Sequence, residues 1–507
     1  IIYHPSASEL REFFSQPDVS YWAYDVETDG IECLTANLRC IAIGTAKYIA
    51  LVGLLGIDGK TKFYSTQEEE DEVVQVLKEF MLDPTKLKMG WNSGYYDRLV
   101  MENHFGLTPQ PHIDGMLFHR LVESELPHSL GFAGSMYTEA PSWKTDRNGK
   151  KKAYGSETDF ELHEYCGYDV AVTAEVLTPL IRKVKERYQE ECLKCDHQLQ
   201  EICAEMHRVG MRVSQSVRLD FEKKYLKEVY ERRERIRDLA DVEGLNPAST
   251  TQLRSLLYDD WNLLPHLAHK MKAKDYMTDS GEPSTGDDVM RALLTIPILT
   301  DQQRAVLENI RLFRRSQKML GTYVTKLRYS NEDINPWEGY DEEDDWVTKE
   351  MREKYGLKKK GIVDPATHRM YPGYNVHVTV SGRLSSSSPI NAQNFPNHLR
   401  AMVVASPGNV LVGADMDQLE LRIAASRWQS EKYLEAFENG LDPHSSVTAH
   451  AVFGERFEKM AIDCGVGGYP WKTGTKFKGT AKNLRGLAKC VQYASQYSAS
   501  VSTVHKV

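Results

Sequence analysis

At 507 residues the chain exceeds what one hydrophobic core organises, and at about 150 residues per domain it divides into three or so units. Its 41% hydrophobic and 27% charged residues, with no apolar run of about eighteen, exclude a helical membrane span. A formal net charge of −9 excludes nucleic-acid binding through overall charge and leaves it to local patches. One such patch follows Trp471, where Lys472, Lys476, Lys478, Lys482, Arg485, Lys489 and Lys506 occur with no acid among them. The acidic runs 68–71 and 341–345 read as solvated surface. Eight scattered cysteines, whose close pair Cys192 and Cys195 lacks a second pair at zinc spacing, read as reduced residues of a cytosolic protein. The chain starts at Ile1 without a signal peptide, so a true N-terminus upstream is expected.

Residues 1–185 alternate short β-rich runs at 21–26, 40–44 and 48–52 with helical segments such as 72–81, an α/β pattern. Asp25 and Glu27 stand two apart on the first of these strands, and a period of two puts both carboxylates on one face. A third and a fourth carboxylate follow in Asn92-Ser93-Gly94-Tyr95-Tyr96-Asp97 and Tyr165-Cys166-Gly167-Tyr168-Asp169. Tyr165 and Asp169, four apart on a predicted helix, share a face. Such carboxylates suit hard divalent ions, which take oxygen ligands.

From about 186 to 330 the period is helical, with Leu199, Ile202, Cys203 and Met206 at i, i+3, i+4 and i+7, and predicts an elongated helical arm. Asn246-Pro247-Ala248-Ser249 and the turn at 281–285 read as caps and turns. An exposed excursion is expected around Asn335-Pro336, the acidic cluster and Lys358-Lys359-Lys360. Mixed α/β pattern returns at about 370. There the apolar run Leu411-Val412-Gly413-Ala414 predicts a strand that delivers Asp415 to the mouth of a site, with a helix from Gln418 behind it. Arg485, Lys489, Tyr493 and Tyr497 recur at steps of four and predict a helix with cations and rings along one side.

In the order D-x-E, N-x3-Y-D and Y-x3-D, the first third resembles the DEDD 3′–5′ exonucleases that carry tyrosine in the last motif. The resemblance implies an RNase H-like domain in which Asp25, Glu27, Asp97 and Asp169 hold two magnesium or manganese ions and Tyr165 orients the attacking water; Asn92 would be a structural or substrate-strand contact. Ser381-Gly382-Arg383-Leu384-Ser385-Ser386, Asn391-Ala392-Gln393-Asn394-Phe395-Pro396 and Asp415-Met416-Asp417-Gln418-Leu419-Glu420-Leu421-Arg422 resemble motifs of family A DNA polymerases. So does the helix of Arg485, Lys489, Tyr493 and Tyr497.

That likeness implies an α/β multidomain chain, an exonuclease domain followed by a right-hand polymerase of thumb, palm and fingers that is incomplete at its C-terminus. The expected boundaries are exonuclease 1–185, helical thumb with the acidic excursion 186–370, first part of the palm 371–440 and fingers 441–507. It assigns a metal to Asp415 and the Met416 carbonyl, DNA contacts to Arg383, Asn391, Gln393, Asn394 and Tyr497, and the incoming nucleotide to Glu420, Arg485, Lys489 and Tyr493. Glu420 would crowd the sugar 2′ position, and tyrosine at 493 implies weak rejection of chain terminators. His444, in Asp442-Pro443-His444, reads as structural or nucleotide-adjacent. Met416, Asp417 and Ser498 depart from the family pattern; Asp417 adds a charge that either points away from the site or alters its metal occupancy.

The implied activity is template-directed DNA synthesis with 3′–5′ proofreading in replication, as in phage enzymes. The implied partners are primer-template DNA, deoxynucleoside triphosphates and a processivity factor, in the cytoplasm of the cell or host and away from membranes. The family's second palm carboxylate is not in the sequence, which predicts a longer or split chain, or the alternative that the protein degrades 3′ ends only and its polymerase part is a DNA-binding platform.

Overall fold

The structure, a computed structural model, describes residues 1–17, 19, 21–144, 158–331, 361–386 and 389–496, the last four by backbone alone. It divides into two compact units, Ile1–Asn409 and Val410–Val507.

The first unit begins with a six-stranded mixed sheet in the order β1-β4-β3-β2-β5-β6, made of β1 (Ile2–Tyr3), β2 (Tyr21–Thr28), β3 (Leu38–Gly44), β4 (Ile49–Gly53), β5 (Leu87–Gly90) and β6 (His112–Asp114). β2 is interior, antiparallel to β3 and parallel to β5. Alternation along β2 sends Trp22, Tyr24 and Val26 to one face, where they pack with α1 (Ala7–Phe14), α2 (Gln67–Leu82) and α3 (Tyr96–Phe105). Helix α1 is fixed there by a capping box of Ser6 and Glu9 and by Phe14 stacked on Phe80 at 3.8 Å. The opposite face carries the small side chains Ala23, Cys40 and Ala42, which let α6 (Asp159–Glu186) approach closely with Cys166, Val170 and Leu177; α4 (Gly115–Val122) and α5 (Leu130–Tyr137) complete that layer. Asp25 and Glu27 lie on this second face.

Helix α7 (Glu190–Val209) packs against α3 and α4, and its inward face does not follow the apolar period. Ile202 and Met206 are exposed, whereas Gln200, Cys203, Ala204 and His207 are buried. Partners decide this rather than hydrophobicity: Gln200 donates to Asp114 at 2.6 Å, and His207 meets Cys33 and Glu32. Beyond it, α8 (Gln215–Ala240) lies along the helix Asp301–Lys318 over a core that includes Val229, Ile236, Val306, Ile310 and Phe313. The expected caps are present, Ser249 accepting from the Gln252 amide and Gly286 preceding the helix Asp287–Leu294. Glu222 is fully buried on α8 between the guanidiniums of Arg218 and Arg328. The acidic excursion and the lysine triplet lie outside the described residues.

In the second unit the helices Leu419–Trp428, Glu431–Glu438, Glu455–Asp463 and Gly479–Gln496 surround a small core of Phe457, Trp471, Phe477 and Ala488. The strand predicted at 411–414 is not formed. A strand exists only by pairing its backbone, and no described segment pairs with this one, so Val410, Leu411 and Val412 are 81%, 67% and 87% exposed. Among the described residues no helix is long and apolar enough to cross a membrane, and all eight cysteines are free.

Candidate active site

Three elements deliver the acidic quartet: β2 brings Asp25 and Glu27, the first turn of α3 brings Asp97, and α6 brings Asp169. Oxygens of Asp25 and Glu27 lie within 4.8 Å of each other and of the Cys166 sulfur, whose thiol also reaches the Asp25 carbonyl at 3.6 Å. Burial raises the Asp25 carboxyl well above the usual range, and the charges of Asp169, Asp97 and Glu27 push the same way against Lys144. Asp97, also by burial, is pushed up to about 7, and its Oδ1 is buried without a hydrogen-bond partner. Asp169 is raised by burial too, although Lys144 and Trp143 hold it down in part. Like charges gathered in a confined place with an unsatisfied oxygen among them are the electrostatic signature of a cation site.

One cation is already there. Lys144 Nζ donates to Asp169 Oδ2 at 2.6 Å and to the Tyr165 hydroxyl at 2.8 Å, while Trp143 Nε1 donates to Asp169 Oδ1 at 2.5 Å. Burial works against the ammonium, but Asp169 and Tyr165 outweigh it and raise its pKa.

A second buried acid organises the approach of α3. Asp114, at the end of β6, accepts from the backbone amides of Asn92, Gly94 and Met116 and from Gln200. These bonds hold the turn in which Asn92 adopts a left-handed φ of 62°, and that turn sets the start of α3 and so the place of Asp97. Asn92 thus has a structural place.

Tyr374–Asn375 pairs with Ser385–Ser386, and the Ser386 hydroxyl accepts from the Ala392 amide at 3.0 Å. Arg383, Gln393 and Asn394 are exposed. Asn391 uses its Oδ1 to cap the turn through the Asn394 amide, and Gln393 donates to the Leu384 carbonyl.

In the second unit Asp415 and Met416 are exposed, and Asp417 turns to Arg422, which donates to its carbonyl at 2.8 Å and meets its carboxylate at 3.6 Å. Glu420 lies in the first turn of Leu419–Trp428. Arg485 and Lys489 ride on Gly479–Gln496, but the Arg485 guanidinium is engaged by both oxygens of buried Asp442, at 2.8 and 3.0 Å. His444 is buried and donates through Nδ1 to Gln492 at 2.8 Å, a structural place. Tyr497 and Ser498 lie outside the described residues, as does the side chain of Tyr493.

Residues 3–185 match the family model of the 3′-5′ exonuclease, and residues 216–463 match that of DNA polymerase family A. Residues 216–463 belong with the family A DNA polymerases. Among its relatives, DNA polymerase I of Pseudomonas aeruginosa is 27% identical over 465 residues, 87% of this chain and 44% of that protein. A DNA polymerase of Bacillus phage SP01 is 26% identical over 235 residues, 44% of this chain and 20% of that protein. The chain therefore spans less than half the length of these curated relatives. The fold is similar to the POL domain of Pol1 from M. smegmatis, solved in complex with DNA primer-template and dNTP, with a TM-score of 0.65 at 17% identity over 99% of this chain and 73% of that one.

Family A and exonuclease domains generally use divalent metals, and the quartet, all oxygen donors with the unpartnered Asp97 Oδ1 among them, fits such ions. The structure brings Asp25, Glu27, Asp97, Asp169 and Tyr165 together. Trp143, Lys144, Cys166 and Asp114 were missed from sequence. An acid closing the apolar-polar run His112-Ile113-Asp114 before Gly115 was a usable signal; nothing in the sequence marks Lys144.

Proposed function

We propose that the chain serves template-directed DNA synthesis, adding deoxynucleotides to a primer 3′ end, and proofreads by 3′–5′ hydrolysis. The observation that carries the proofreading part is the convergence of four carboxylates from three elements, with the buried Asp97 oxygen unsatisfied, and the synthetic part is supported by the match of residues 216–463 to DNA polymerase family A. In the exonuclease half Asp25, Glu27, Asp97 and Asp169 would hold two magnesium or manganese ions. When bound, such ions supply a hydroxide near neutral pH and relieve charge on the leaving oxygen. The chain's own part is to position: Tyr165 orients the attacking water, and Lys144 and Trp143 fix Asp169 from the other side. Water adds to phosphorus, the bond to the 3′ oxygen of the penultimate nucleotide breaks, and that oxygen takes up a proton.

In the polymerase half Arg383, Gln393 and Asn394 would meet primer-template DNA. Asp415 and the Met416 carbonyl would face metal, Glu420 the sugar, Arg485 and Lys489 the triphosphate, Tyr493 the incoming nucleotide and Tyr497 the DNA. Arg485 then exchanges Asp442 for phosphate oxygens, an exchange suited to its forked donors.

A second reading, a 3′–5′ exonuclease whose polymerase part only binds DNA, is favoured by two observations: Asp415 stands in an exposed segment without a strand, and Arg485 is already paired. The test mixes the purified chain with magnesium, four deoxynucleotides and a labelled primer on a longer template. Lengthened primer is expected; primer that only shortens establishes the second reading. Under the same conditions above pH 8, Lys144→Met is expected to lower the half-saturating magnesium concentration for shortening, because Asp169 loses a competing cation. An unchanged or higher requirement rejects that role for Lys144.

A further inference from the structure

We propose that Glu32, Cys33 and His207 form a second metal site, separate from the carboxylate quartet, for a borderline-soft divalent cation of the zinc class. Glu32 and Cys33 lie in the loop after β2, and His207 lies in the last turn of α7. His207 Nε2 is 3.2 Å from Glu32 Oε1 and 3.5 Å from Cys33 Sγ, and the three donor atoms lie within 4.8 Å of one another. Zinc bonds of about 2.3 Å to sulfur and about 2.0–2.1 Å to nitrogen and oxygen, at tetrahedral angles, place ligand atoms about 3.6 Å (N to S) and about 3.3 Å (N to O) apart. The observed separations match those of a ligand set around a common ion.

The histidine supplies an independent argument. Its Nδ1 is 3.3 Å from the Pro372 carbonyl oxygen, and its Nε2 faces the Glu32 carboxylate. With an ion on Nε2 the ring proton sits on Nδ1 and is donated to the Pro372 carbonyl. A metal-bound histidine typically has this arrangement, with its other nitrogen fixed by a backbone carbonyl.

Charge and access agree. One thiolate and one carboxylate balance a divalent ion, and binding releases the thiol proton of Cys33. Cys33 and His207 are buried while the Glu32 side chain is 43% exposed, so the carboxylate gives an ion a route in from solvent. Sulfur and nitrogen donors select zinc over magnesium, so the site does not compete for the ions of the quartet. The bound ion ties the β2 loop to α7, and through His207 to the segment at Pro372, and it accounts for a polar residue on the buried face of that helix.

The test uses the full chain, stripped of metal and titrated with cobalt(II) in excess magnesium, which fills oxygen sites. One equivalent of cobalt is expected to produce a thiolate-to-cobalt charge-transfer band in the near ultraviolet, and one equivalent of zinc to abolish it. Cys33→Ser is expected to remove the band. His207→Gln, which keeps the thiol, is expected to weaken cobalt binding at least about tenfold. Cys166→Ser, beside the quartet, is expected to leave the band in place. Absence of the band in the unmodified chain, or its loss in Cys166→Ser and survival in Cys33→Ser, overturns the proposal.

Discussion

Asp25→Ala is expected to reduce shortening of a DNA 3′ end by at least about 100-fold, since loss of even an outer partner of a metal site commonly costs 10–100-fold. The fold should survive, because Asp25 contributes no buried apolar area and its carboxylate is repelled by Asp169, Asp97 and Glu27. The same repulsion gives a companion result in pH. A carboxyl whose folded pKa is raised binds more protons folded than unfolded between its two pKa values, so stability falls as pH rises through that window. For Asp97, raised by burial from 3.8 to about 7, the window is about pH 4 to 7, and the effect reaches up to roughly 4 kcal/mol in the metal-free chain. Asp97→Asn should therefore flatten the decline of the unfolding free energy over that range in EDTA while also abolishing cleavage. Calorimetry from pH 4 to 8 on both proteins checks it; equal slopes, or full nuclease activity in Asp25→Ala, reject the site.

The largest purely structural effect is expected from Glu222→Ala. The carboxylate is fully buried between Arg218 and Arg328, with Arg328 Nε at 3.2 Å as well. Removing it leaves two poorly exposed guanidiniums without their shared anion, which typically costs 3–5 kcal/mol. The backbone of Arg328 also holds the chain at Val363, since its carbonyl accepts from the Val363 amide at 3.0 Å. Denaturant unfolding of the variant should show that loss. Replacing all three charged residues with apolar ones of similar volume should recover most of it, because desolvation of the triad is then avoided. A loss below about 1 kcal/mol in Glu222→Ala would show that water reaches the arginines.

What was readable in the sequence was whatever local periodicity controls. Alternation on β2 put Asp25 and Glu27 on one face, and the four-residue step put Tyr165 and Asp169 together on α6. Two features were not legible because they depend on partners distant in sequence. The apolar spacing of α7 includes Ile202 and Met206, yet Gln200 and His207 are buried because Asp114, Glu32 and Cys33 receive them. The run 411–414 has strand composition but no strand to pair with among the described residues. Lys144 was invisible for the same reason: its role arises only where a loop meets α6.

The ammonium of Lys144 also changes how the protein meets its metal supply. A cluster of acids normally ties the finished fold to an incoming ion, so that starvation for the ion leaves the chain loose at that spot. Here a tethered positive charge sits against Asp169 from the moment the loop closes on α6. Assembly of this domain can then run ahead of ion delivery, and loading becomes an exchange of one cation for another.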